Sequence, residues 1–246
     1  MSKANFSGPY LKTERAEHHI LQLKDIFSAH IDRNKKAMIP KYNRKPRKAA
    51  VIGSKLPRHT STILGDALHN LRAALEHAYC ILVEANGGTV NRYVRFPFTE
   101  NGTRQDLEGS VNGHAKAGHG PSAQVIEFIF EEIQPFPGGK GEDLLKLHIL
   151  DIADKHMILL PTQQRTFIEK LEFPGGGGIF GISFITDGDH DAVQIDGVPK
   201  DGTNNKASFE ICFGDGQPFE GQHIIPMLEH LHARTIETLN GLERLI

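Results

Sequence analysis

Leu68, Leu71, Leu75, Ala78 and Leu82 recur at three- and four-residue intervals, the period of a helix buried along one face. The pattern predicts a helix over about 62–85, ended by Gly87-Gly88, with Thr60 and Ser61 placed to cap its start. Ile20, Leu23, Phe27 and Ile31 predict an earlier helix over 13–33, and Val125, Ile126, Ile129 and Ile133 a third over 121–134. A fourth begins at Asp143 as N-cap and runs through LLKLHILDIADKHMIL. A last follows Pro226 on Leu228, Leu231, Ile236, Leu239 and Leu242. Residues 89–121 read as irregular, with VRFPF a short strand and Gly109 to Pro121 a polar, Gly-rich loop.

From residue 161 the pattern changes. IFGISFI, AVQIDG and SFEICFG are short β-rich runs separated by Asp/Gly turns, which predicts three or four antiparallel strands. The fold class is therefore α+β. It is a bundle of about five helices, with a small antiparallel sheet in the C-terminal half. The expected division is 1–160 for the helical part and 161–246 for the sheet, whose final helix packs back on the core.

Composition narrows the class of protein. The chain has 246 residues, 24% charged and 39% hydrophobic, as expected of a globular protein rather than a disordered one. The formal charge of −2 excludes a strongly basic protein of the histone kind, although charge is concentrated locally. Residues 34–59 carry nine Lys or Arg, three prolines and no acid. They read as a hairpin or extended arm with a short strand near Ala49 to Ile52. Lys41, Arg44, Lys45, Arg47 and Lys48 suit a row of phosphates, and Tyr42 a stacked base. Cys80 and Cys212 show no CxxC spacing and read as buried thiols in a reducing compartment. The first residues, MSKANFSGPY, lack a signal peptide's apolar run, so the expectation is a cytoplasmic protein outside the membrane.

The chemistry gathers on the second helix. At 100° per residue, Asp66, Asn70, Ala73 and His77 fall within roughly 60° of one another, with His69, Arg72 and Glu76 on the adjoining flank. On the fourth helix His148, Asp151 and Lys155 share a face, with Asp154 and His156 at its end. Packing of the two helices is expected to set Asp66, Asn70 and His77 opposite His148 and Asp151. Three readings follow. The polar groups form an internal network that fixes helix register. Alternatively His77, His148, Asp151 and Asp66 ligate Zn or Mn in a metal-dependent hydrolase. In the third, Arg72 stabilises phosphorane charge and His77 moves the 2′-hydroxyl proton in metal-free RNA cleavage, with Asn70 and Asp66 orienting them.

The R-x4-H spacing of RAALEH, with the helical architecture, is similar to the HEPN superfamily, whose ribonuclease members commonly cut RNA as dimers. The resemblance implies Arg72 as the phosphate-facing arginine and His77 as the catalytic histidine. More of the chain resembles a family of uncharacterised bacterial and phage proteins. The shared pieces are GDALHNLRAALEH at 65–77, IQPF at 133–136 and DIADKH at 151–156. That family implies no activity.

PGGGGIFG lacks the Lys-Ser/Thr of a phosphate-binding loop, TDGDHD at 186–191 reads as an exposed turn, and Ser183 and Cys212 show no triad around them. The leading expectation is a dimeric HEPN-like protein that handles RNA without a cofactor or metal. A non-enzymatic binding or scaffold protein is the rival, and a metal-dependent hydrolase the third reading.

Overall fold

The computed structural model describes residues 5–37, 48–52, 56–100, 102–156, 162–172, 178–186, 192–196 and 206–246. Six α-helices and five strands lie among them. In chain order they are α1 (Ser7–Ala37), β1 (Lys48–Ile52), α2 (His59–Ala85), α3 (Arg104–Lys116), α4 (Ala123–Phe128), α5 (Glu142–His156), β2 (Thr162–Glu172), β3 (Gly178–Thr186), β4 (Ala192–Asp196), β5 (Lys206–Phe213) and α6 (Ile224–Glu243). The α+β class holds. The chain divides into two compact units: Met1–Leu21, Ile63–Leu159 and Ile225–Ile246 form one, Gln22–Thr62 and Leu160–Ile224 the other.

The first unit is helical and built around α2. Leu75, Ala78, Tyr79, Leu82 and Val83 pack with Phe6, Phe96, Leu107, Val111, Ile129, Leu144, Leu239 and Leu242 in one apolar core. Burying a side chain of this size stabilises by about 1.5–3 kcal/mol. Glycine lets α6 approach closely: a Cβ on Gly241 would collide with the Phe128 ring.

Helix boundaries differ from the expectation in ways local chemistry explains. α1 starts at Ser7, whose N–H is taken by the Asn5 side chain at 2.8 Å, and Pro9 sits in the first turn, where its missing N–H costs nothing. α2 starts at His59, so Thr60 and Ser61 lie inside its first turn instead of capping it. Asp143 likewise lies within α5. Residues 104–116, expected to be a loop, form α3. Thr103 and Asp106 cap it reciprocally, and Leu107 and Val111 bury its inner face. VRFPF forms no strand; Pro97 cannot join a ladder, and Val94 and Phe96 insert into the core instead. The helix expected over 121–134 is α4 followed by a π-helical turn, Ile129–Ile133, closed by Gln134 at φ 53°.

The second unit holds the strands. β2 pairs antiparallel with both β3 and β5, giving the order β3-β2-β5, while β1 pairs antiparallel with β4. The strand expected near Ala49 to Ile52 is therefore present as β1, with Ala50 opposite Gln194. His30 of α1 is buried here and meets the Gln164 side chain at 2.6 Å.

Candidate functional site

Two helix faces with the same spacing meet in the helical unit. His69, Arg72 and Glu76 on α2 and His148, Asp151 and Lys155 on α5 each occur at i, i+3 and i+7. Asp151 is 1% exposed and is the centre of the group. Its Oδ1 lies 2.9 Å from His69 Nδ1, and its Oδ2 accepts from Arg72 Nη1 at 2.8 Å and Lys155 Nζ at 2.7 Å. Gly65 permits the close approach of the two helices, since a Cβ there would collide with the Asp154 carboxylate.

Arg72 ties the rest together. Its Nε donates to His148 Nδ1 at 2.9 Å and its Nη2 to Glu76 Oε1 at 2.7 Å. Because Nδ1 accepts, the proton of neutral His148 sits on Nε2, 3.3 Å from Glu100 Oε1. The 94–100 segment closes this end. Phe96 N–H donates to Glu76 Oε2 at 2.7 Å, and the Phe98 ring stacks on His148 with centroids 4.4 Å apart.

The electrostatics follow from burial and partners. Burial pushes the His148 imidazole down to about 4, helped by the Arg72 charge, so the ring is neutral near pH 7. Burial also pushes the Glu76 carboxyl up, opposed by the Phe96 N–H and by Arg72. For Asp151, burial acts upward, but hydrogen bonds from Lys155, His69 and Arg72 win and hold the carboxyl below its ordinary value.

The arrangement corrects the expected pairing of faces. Asp66 and His77 are exposed and take no part in the cluster's hydrogen bonds given above, and Asn70 is buried with its amide on the Asp66 carbonyl at 2.8 Å. The flank of α2, not its central polar stripe, meets α5. Arg72 and His77 therefore do not converge within one chain, and the expected metal set of His77, His148, Asp151 and Asp66 is not assembled. His148 Nδ1 and both Asp151 oxygens already hold protein partners. Lys41, Tyr42, Arg44, Lys45 and Arg47, TDGDHD beyond Thr186 and most of the PGGGG run lie outside the described residues; Lys48 opens β1. His156 ends α5.

A groove of about 940 Å³ runs along α6, lined among others by Phe128, Lys140, His232, Arg234, Glu237 and Arg244, and none of the α2–α5 network lines it. No described helix is long and apolar enough to cross a membrane.

Sequence reasoning missed one constellation. Among the described residues, Glu210, Cys212 and His223 are the group whose ligand atoms all lie within 4.8 Å of one another. The E-x-C spacing of β5 was visible, since residues two apart share a strand face. His223 is brought in only by the turn that follows. No family model, curated protein or solved structure matches this chain.

Proposed function

We propose that this chain is a non-catalytic binding or scaffold protein, in which the polar flank of α2 is an internal network fixing α5 in register. The observation that carries the reading is that each Arg72 nitrogen donates to a protein partner, Nε to His148, Nη1 to Asp151 and Nη2 to Glu76, which takes three of the five N–H groups. Two N–H groups remain for charge that develops in a phosphoryl-transfer transition state, but they sit on a guanidinium already fixed in place by three protein partners. Arg72 is also only 15% exposed. His77, the proton carrier of the nuclease reading, lies outside the network.

Partner chemistry rests on residues 34–59, whose nine cations without an acid suit a polyanion such as RNA. The test is incubation of purified protein with mixed RNA, with and without EDTA, beside His77→Ala. The expected result is salt-dependent RNA binding without cleavage in either protein. Cleavage that survives EDTA and disappears in His77→Ala overturns the proposal in favour of a HEPN-like ribonuclease.

A further inference from the structure

β5 is an outer strand of its sheet, and the chain turns back along it. Phe213 N–H donates to the Gln222 carbonyl at 3.0 Å and Gly221 N–H to the Phe213 carbonyl at 3.0 Å. Gly221 takes φ 73°, a conformation glycine adopts without strain. The return sets His223 opposite Cys212 in an antiparallel bridge. Glu210 and Cys212 share a face of β5 by the two-residue period of a strand. Three side chains of different chemistry therefore meet: a thiol, an imidazole and a carboxylate.

Their burial is graded. Cys212 is fully buried, whereas His223 and Glu210 are 50% and 41% exposed, with His223 Nε2 3.3 Å from Glu210 Oε2. The sulfur forms the floor and the other two groups the rim. A His–Glu ion pair on a sheet surface needs no thiol beneath it. The mixed S, N, O set suits a borderline-soft divalent ion.

We propose that Glu210, Cys212 and His223 bind a transition-metal dication of the Zn²⁺ class, with a fourth position open to solvent. Around tetrahedral zinc, such ligand atoms stand about 3.3–3.6 Å apart, given bonds of about 2.0–2.3 Å. The spacing of at most 4.8 Å contracts to this by side-chain rotation at the half-exposed rim. Burial pushes the Cys212 thiol up, with Arg165 acting downward and Glu210 upward. Binding therefore displaces the thiol proton to solvent: Cys–SH and M²⁺ give Cys–S–M⁺ and H⁺. Arg165, the cross-strand partner of Glu210, is the cation facing the group, and its Nε is buried without a hydrogen-bond partner. The inference is independent of the reading given to the α2 face.

The test is titration of the chelator-stripped full chain with Co²⁺, followed by displacement with Zn²⁺. One equivalent is expected to bind per chain, with a thiolate-to-cobalt charge-transfer band in the near ultraviolet and about one proton released. Cys212→Ser removes the band, and Cys80→Ser retains it. His223→Gln and Glu210→Gln weaken Co²⁺ binding at least about tenfold, because loss of a ligand costs no less than loss of an outer partner. Melting curves of the stripped variants establish that each is folded, and Cys212→Ala replaces Cys212→Ser if the latter is not. Absence of the band at saturating Co²⁺ overturns the proposal. So does a band that survives loss of Cys212, or unchanged affinity in His223→Gln or Glu210→Gln.

Discussion

Replacing Asp151 by Asn keeps the shape of the side chain and removes its charge. Three donors surround that carboxylate: Arg72 is 15% exposed, Lys155 37% and His69 45%. Lys155 and His69 can turn toward water, so their pairing contributes little. Arg72 cannot, although it keeps Glu76 and His148. Breaking a buried pair by removing one partner costs about 3–5 kcal/mol, and the retained contacts place this change near the low end, about 3 kcal/mol. For a chain of this length that is roughly 6–12 °C in Tm. Urea unfolding at pH 7 gives the loss directly, provided the m-value is unchanged. The network reading also requires coupling. The double variant Arg72→Met/Asp151→Leu should be destabilised by at least about 1 kcal/mol less than the sum of its single variants, since it leaves no stranded charge between them. A loss below about 0.5 kcal/mol for Asp151→Asn, or additive single variants, would falsify the claim that these groups hold α2 and α5 together.

Other outcomes follow from the same structure. His148 has a depressed pKa, so its contribution is complete above pH 6.5 and is lost as pH falls through about 4. That amounts to about 3 kcal/mol before the opposing pull of half-exposed Glu100. Urea midpoints of His148→Gln should therefore depend less on pH between 6.5 and 4 than those of the wild type, and parallel curves would refute the assignment. Glu76, with its pKa raised by burial, acts in the opposite sense in both proteins and drops out of the comparison. Leu107 is fully buried on α3, so Leu107→Ala should lower stability by about 2–5 kcal/mol; a neutral result in thermal melts would mean that α3 is not packed. Gly241→Ala forces the Phe128 ring aside and should cost about 1–3 kcal/mol in the same melts, unless the ring finds a second position without loss.

The sequence made α2 and α5 legible because their apolar residues repeat cleanly, and the His148, Asp151, Lys155 spacing already marked the working face of α5. It did not say which of two polar stripes on α2 would meet that face. Asp66, Asn70 and His77 formed the tighter group by angle, but His69, Arg72 and Glu76 border the buried arc on the side where α5 lies. That choice is made by tertiary packing. α3 was hidden by Gly109 and Gly113, which have open space beside them, although Thr103, Asp106, Leu107 and Val111 carried the helix signal. The Glu210, Cys212, His223 grouping was invisible because it depends on a turn that reverses the chain between its second and third members.

That reversal also bears on how copies of this chain stay apart. An outer strand offers unpaired N–H and C=O groups to any passing strand, and such edges seed aggregation. The returning segment takes both backbone groups of Phe213, the last residue of β5, so that a neighbour finds this position of the edge already paired. The turn thus acts as a guard on the sheet's margin. Its weak point is Gly221, where any side chain would strain the backbone and press on Arg165.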